Sequence, residues 1–194
     1  MPDAALFDRV TLDSSVLLGP KEPEFLAAAD LGYYHGYWSS WIVAEFARVR
    51  TEWIIRRTLK ELASRAEAEQ RLGRSRARVN TAIDELSGVL TLVDYRSAPA
   101  TDLSWLSDPD DLPVVRTALA AGVPGTLVTD NSKDFPLREA RNGIMILSSS
   151  DFLDALYLAY PEAKTAVADY LGRRKRVESE GLSRLTKTPR VASH

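Results

Sequence analysis

The side chains able to do chemistry in this sequence are almost all carboxylates. Asp13 directly follows a β-favouring run, Val10 to Leu12, and Glu45 lies early in a helical stretch that Ser39 or Ser40 can cap. Asp108, Asp110 and Asp111 stand where another helix begins, and Asp130 and Asp134 follow the apolar run Thr126 to Val128. Carboxylates a few ångströms apart repel, and one takes up a proton unless a cation sits among them. All-oxygen sites suit Mg²⁺ or Mn²⁺. A pair of such ions can activate a water and steady the leaving oxygen of a phosphodiester, so hydrolysis of a nucleic-acid backbone is the reaction suggested.

Each acid also has a plainer use. Asp at a helix start is favoured as a cap and by the helix dipole, which accounts for Asp108 and Asp110 and, taken alone, for Asp111. Glu45 suits a solvated helix face. Asp13 is the sharpest case, because a carboxylate after a buried strand is unfavourable unless paired or metal-bound. The joint placement of four stretches of chain is what favours a shared site.

Composition removes the competing chemistries. The 194 residues contain no cysteine, which excludes disulfides, Cys-ligated zinc and a thiolate nucleophile. Of two histidines, His194 is the last residue, so a His-based zinc site or nucleophile triad would rest on His35 alone. The start, MPDAALFDRV, lacks the basic-then-apolar pattern of a signal peptide, and no segment reaches the ~20 apolar residues of a membrane span, so a cytoplasmic location is expected. The net charge of -2 conceals blocks: Arg48 to Arg78 carries ten basic residues against Glu52, Glu61, Glu67 and Glu69, while acids crowd into Asp102 to Asp111.

The elements that must position these acids are short β runs alternating with helices. Strands are expected at Val10–Leu12, Val89–Val93, Thr126–Val128 and Ile144–Leu147. Helices are expected at Glu24–Leu31, from Ser40 onward on an apolar face of Ile42, Phe46, Val49 and Trp53, on to Leu86 with an interruption near Gly73, then at Leu112–Ala121, Asp151–Tyr160 and from Pro161 to about Arg174. Gly32 and Gly36 bracket a tyrosine-rich loop. The pattern predicts an α/β fold, a three-layer domain with a central parallel sheet flanked by helices. A domain over 1–150, a C-terminal helical extension over 151–177 and a disordered tail over 178–194 are expected.

Four stretches in this order, TLDSSVLLG at 11–19, SSWIVAEFARV at 39–49, DPDDLPVVRTALAAG at 108–122 and LVTDNSKDFP at 127–136, give a resemblance to the PIN-domain family, particularly VapC-type toxins. GIMILSSSDFL at 143–153 is similar to the strand and helix start that close such domains. The resemblance implies a PIN-like fold and a ribonuclease using Mg²⁺ or Mn²⁺, commonly a homodimer and neutralised by a cognate antitoxin. By position it implies that Asp13, Glu45 and Asp111 hold the principal ion. Asn131 occupies the position most often acidic; Asp134 is the nearest substitute and Asp130 a third, the residue chosen orienting water or a second ion. Ser15 replaces the family's usual Asn, and Ser14, Ser15 and Thr129 are expected to hydrogen-bond ligands or the scissile phosphate.

RNA must also be gripped, and phosphate contacts come mainly from Lys and Arg. Arg48 and the basic residues after it are candidates, against a solvated face paired with the interspersed glutamates or a contact for an acidic antitoxin segment. Tyr33, Tyr34, Tyr37, Trp38 and Trp41 suggest base stacking or a partner surface, with core packing and dimer contacts the nearer explanation. Two rivals differ in class. A non-catalytic RNA-binding or antitoxin-binding module would keep the fold and lose the metal, as the neutral Asn131 allows. A haloacid-dehalogenase-like phosphatase needs a second Asp two residues after its nucleophile, where this chain has Ser15, and a receiver domain needs an acidic pair that is absent.

Overall fold

The computed structural model describes residues 5–59 and 65–186. After a helical turn α1 (Ala5–Asp8), the buried strand β1 (Val10–Leu12) runs into α2 (Ser14–Leu17) and α3 (Glu22–Asp30). Strand β2 (Gly36–Ser39) leads into the long helices α4 (Ser40–Leu59) and α5 (Arg65–Val89), and β3 (Thr91–Val93) follows. Two 3₁₀ turns, Tyr95–Ser97 and Pro109–Asp111, precede α6 (Leu112–Ala121) and β4 (Gly125–Val128). A hairpin of β5 (Glu139–Arg141) and β6 (Ile144–Leu147) leads to α7 (Ser149–Ala159) and α8 (Ala163–Thr186).

The strands form one six-stranded sheet in the order β3-β2-β1-β4-β6-β5, parallel throughout except that β5 runs antiparallel to β6 at the edge. Helices flank it, making a three-layer α/β fold. Helix α6 lies against β1, β2 and β4, while α3 packs on α8. The core is continuous from β1 (Val10, Leu12) through β4 (Leu127, Val128) and β6 (Ile144, Ile146) to α7 (Phe152, Leu156) and α8 (Val167). Phe25 stacks on Phe152 within it, and Tyr34 meets both rings edge-on. The stretch 151–177 therefore buries apolar side chains in the same core as the sheet.

Several elements differ from the sequence expectation. The tyrosine-rich loop ends in a strand, β2, whose Trp38 is buried and whose Gly36 lies so near Leu90 that a Cβ there would overlap the Leu90 Cδ2. Helix α5 runs unbroken through Gly73, which has open space around it, and ends at Val89, so the third strand is shorter than predicted. The hairpin strand β5 was not expected. Helix α8 continues through Thr186, where a disordered tail was expected from 178, and residues 187–194 lie outside those described. No helix among the described residues is long and apolar enough to cross a membrane.

Candidate metal centre

Parallel strands β1, β2 and β4 all end at one rim of the sheet. The chain leaves β1 for β2 on one side and later returns to β4 on the other, so the gap between β1 and β4 is the topological switch point, where ligands bind in open sheets. Asp13 is the first residue beyond β1. Its N–H still donates to the Val128 carbonyl at 3.0 Å, continuing the ladder, and its side chain, only 5% exposed, makes no capping bond to α2. The Thr129 and Ser15 hydroxyls each donate to Asp13 Oδ2 at 2.7 Å, and Ser14 Oγ lies 3.4 Å from Oδ1. One carboxylate oxygen is thus fixed by two donors from both sides of the switch point. Of the hydroxyls expected to hydrogen-bond ligands or the scissile phosphate, Ser15 and Thr129 thus aim the first acid.

Glu45 reaches the rim from α4. Ser39 Oγ accepts the Ile42 N–H at 3.5 Å, starting the helix one residue past β2, and also lies 2.8 Å from Thr117 Oγ1 of α6. Glu45, half-buried in the second turn, lines a cleft of about 580 Å³ together with Arg48, Asp108, Asp111 and Asn131.

The acids before α6 divide into cap and candidate ligand. Asp108 caps the 3₁₀ turn, accepting the Asp110 N–H at 2.9 Å, whereas Asp111 makes no capping bond with its side chain. Asp108, just before the turn, and Asp111, its last residue, come to the same side. Asp134 joins them from the turn after β4, pinned by its buried neighbour Phe135. Carboxylate oxygens of Asp108, Asp111 and Asp134 lie within 4.8 Å of one another, near the roughly 4 Å that spans an octahedral Mg²⁺ with its ~2.1 Å bonds. Asp108, read from sequence as a cap, is both. The spacing Asp-Pro-Asp-Asp was the signal for it, given a 3₁₀ rather than an α-helical turn.

The electrostatics tie these acids together. Burial pushes the Asp111 carboxyl up to about 7, and Asp13, Asp134, Asp108 and Glu45, in that order of effect, push the same way. Four other carboxylates from four segments act on one group. A comparison with protein families, curated proteins and solved structures found no match for this chain, so its chemistry is argued from these residues.

Among the described residues the group close enough to share one ion is Asp108, Asp111 and Asp134; Asp13 and Glu45, expected as ligands, act on Asp111 electrostatically but lie outside that group. Its donors are carboxylate oxygens, with no histidine or cysteine among them, and fit a hard divalent cation. Of the three residues considered for the fourth position, Asp130 is turned away: its Oδ1 accepts the Ser149 N–H at 2.9 Å and binds the start of α7. Asn131 faces the cluster, its amide 3.5 Å from Asp111 Oδ2. Asp134 carries the charge. Arg48 lines the same cleft and pairs with Glu52 at 2.9 Å.

Proposed function

We propose that this protein is a metal-dependent endoribonuclease hydrolysing RNA phosphodiester bonds with Mg²⁺ or Mn²⁺, of PIN-like type, and the toxin of a type II toxin–antitoxin pair. The observation that carries the proposal is the mutual electrostatic pressure of Asp13, Glu45, Asp108 and Asp134 on Asp111, at the switch point of a parallel sheet. Asp13, Glu45 and Asp111 would hold the principal ion, with Asp134, Asn131 and Asp108 at its flank. Such an ion supplies a water made nucleophilic at neutral pH and positive charge for the phosphate oxygens. The chain's own contribution is placement: Thr129 and Ser15 fix Asp13, and the capped 3₁₀ turn sets Asp111 beside Asp108. Without a cation, Asp111 holds a proton for much of the time at neutral pH. Arg48, exposed beside Glu45, suits the backbone of the bound strand.

The cognate antitoxin and the homodimer belong to the same proposal and rest on the sequence resemblance, and the cytoplasmic setting rests on the N-terminal pattern and the lack of a long apolar segment. One feature favours a second reading, a non-catalytic RNA-binding or antitoxin-binding module: Asn131 adds no charge where a further carboxylate would. Calorimetric titration with Mn²⁺ separates the two, since the module takes up no ion. The test of the main reading is incubation of the purified protein and its Asp13→Asn variant with total RNA, with and without Mg²⁺ or Mn²⁺. Wild type cuts only with metal, and the variant loses at least ~100-fold of that rate while keeping its fold. Cleavage by the variant at the wild-type rate sinks the assignment.

A further inference from the structure

Tryptophan side chains are normally buried for the large area they remove from water. Trp38 obeys, being 1% exposed; Trp41 and Trp53 on α4 are 39% and 54% exposed, and of these two it is Trp41 that lines the acidic cleft. Among the described residues no ring or guanidinium stacks on it; the two cation–π contacts are Arg50 on Phe46 and Arg96 on Tyr95. Its position on α4 is specific. Trp41, Glu45, Arg48 and Glu52 follow steps of four, three and four, and so share one face of the helix. Trp41 therefore sits one turn before Glu45, which lines the same cleft as Asp108 and Asp111, and Arg48 one turn beyond it. About 10 Å of helix axis separates Trp41 from Arg48, the reach of a dinucleotide. Arg48 is 61% exposed and pairs with the surface residue Glu52, which a phosphate can replace.

Resting on the nuclease reading above, we infer that Trp41 is a stacking platform for an unpaired base of the bound strand, on one side of the phosphate over the acids, while Arg48 grips the backbone on the other. An indole offers a π-face to any base, so the platform selects for strandedness and not for sequence. A base inside a duplex has both faces covered and cannot use it.

The test uses the full chain, Trp41→Ala and Trp41→Phe, with a labelled single-stranded hexaribonucleotide and the same sequence as a duplex. Binding is read by anisotropy of the label and by tryptophan fluorescence, with Ca²⁺ in place of Mg²⁺, and cleavage with Mn²⁺. The single strand quenches wild-type fluorescence; Trp41→Phe binds with near wild-type affinity but loses most of the quench, assigning the signal to this residue. Trp41→Ala weakens single-strand binding and raises KM by roughly tenfold or more, with little change on the duplex. Circular dichroism of both variants matches wild type, as expected for an exposed side chain. Equal single-strand affinity for wild type and Trp41→Ala overturns the inference, as does a wild-type protein that shows no quench. A quench without cleavage under any divalent ion leaves the stacking site standing and removes the nuclease, so the two failures are distinguishable.

Discussion

At the scale of single residues, the most informative group is Asp111, because its perturbation has a sign that can be followed. Its carboxyl titrates near 3.8 when unfolded and about 7 when folded. Between those values the folded protein binds more protons, so without metal the contribution of this group to stability is largest below pH 4 and is lost as pH rises toward 7. Asp111→Asn keeps the shape and removes the repulsion. In EDTA at pH 8 the variant is expected to melt above wild type, by roughly 2–4 °C if the screened repulsion is worth about 1 kcal/mol, and to lose metal-dependent cleavage. At pH 4 the two melting points should converge. A variant less stable than wild type at pH 8 would mean that Asp111 is not under pressure from its neighbours. Asp130 teaches the opposite lesson: a carboxylate next to the cluster in sequence is committed to the Ser149 N–H and does not face it.

At the scale of elements, the 3₁₀ turn Pro109–Asp111 carries two functions on Asp108, and they can be separated. Asp108→Ser retains an oxygen for the Asp110 N–H but removes the charge. If Asp108 flanks the ion, the variant keeps its melting point within about 1 °C and binds Mn²⁺ roughly tenfold more weakly, as seen for residues supporting a metal's ligands. Unchanged Mn²⁺ affinity in titration would leave Asp108 a cap and nothing more. The elements also differ in how readable they were. Strands β1, β4 and β6 are short apolar runs buried in the sheet, and their pattern was visible. Strand β2 was not: it opens with a glycine, required by the approach of Leu90, and its aromatic residues looked like a loop surface. Strand β5, Glu-Ala-Arg, has no apolar pattern and is held by pairing with β6. The overlooked clue was Asn142-Gly143, both at positive φ, which forms the two-residue turn between Arg141 and Ile144. Asp13, Glu45, Asp111 and Asp134 were legible as candidates because they follow strands or open helices. Asp108 was hidden by its capping role, and the bond that ties Thr129 to Asp13 spans more than a hundred residues.

At the scale of the whole molecule, an ion bound as proposed would be coupled to the folded state. An ion held by Asp13, Glu45 and Asp111 can bind tightly only when β1, α4 and the turn before α6 are in place. Mn²⁺ at about a hundred times its Kd should therefore add about 2.7 kcal/mol and raise Tm by roughly 5–10 °C at pH 8, with a smaller shift at pH 5.5, where protons compete at Asp111. Scanning calorimetry at both pH values checks this, and a pH-independent shift would place the ion elsewhere.

The buried contact between Ser39 and Thr117 has a consequence of its own. Thr117 Oγ1 lies 2.8 Å from Ser39 Oγ and 2.7 Å from the Pro113 carbonyl, while Ser39 Oγ accepts the Ile42 N–H. The start of α4 and the first turn of α6 are thereby bolted together one layer beneath the rim. The gauge between the carriers of Glu45 and Asp111 is set there by uncharged hydroxyls. Replacing an acid above them leaves that spacing in place, because no carboxylate takes part in it.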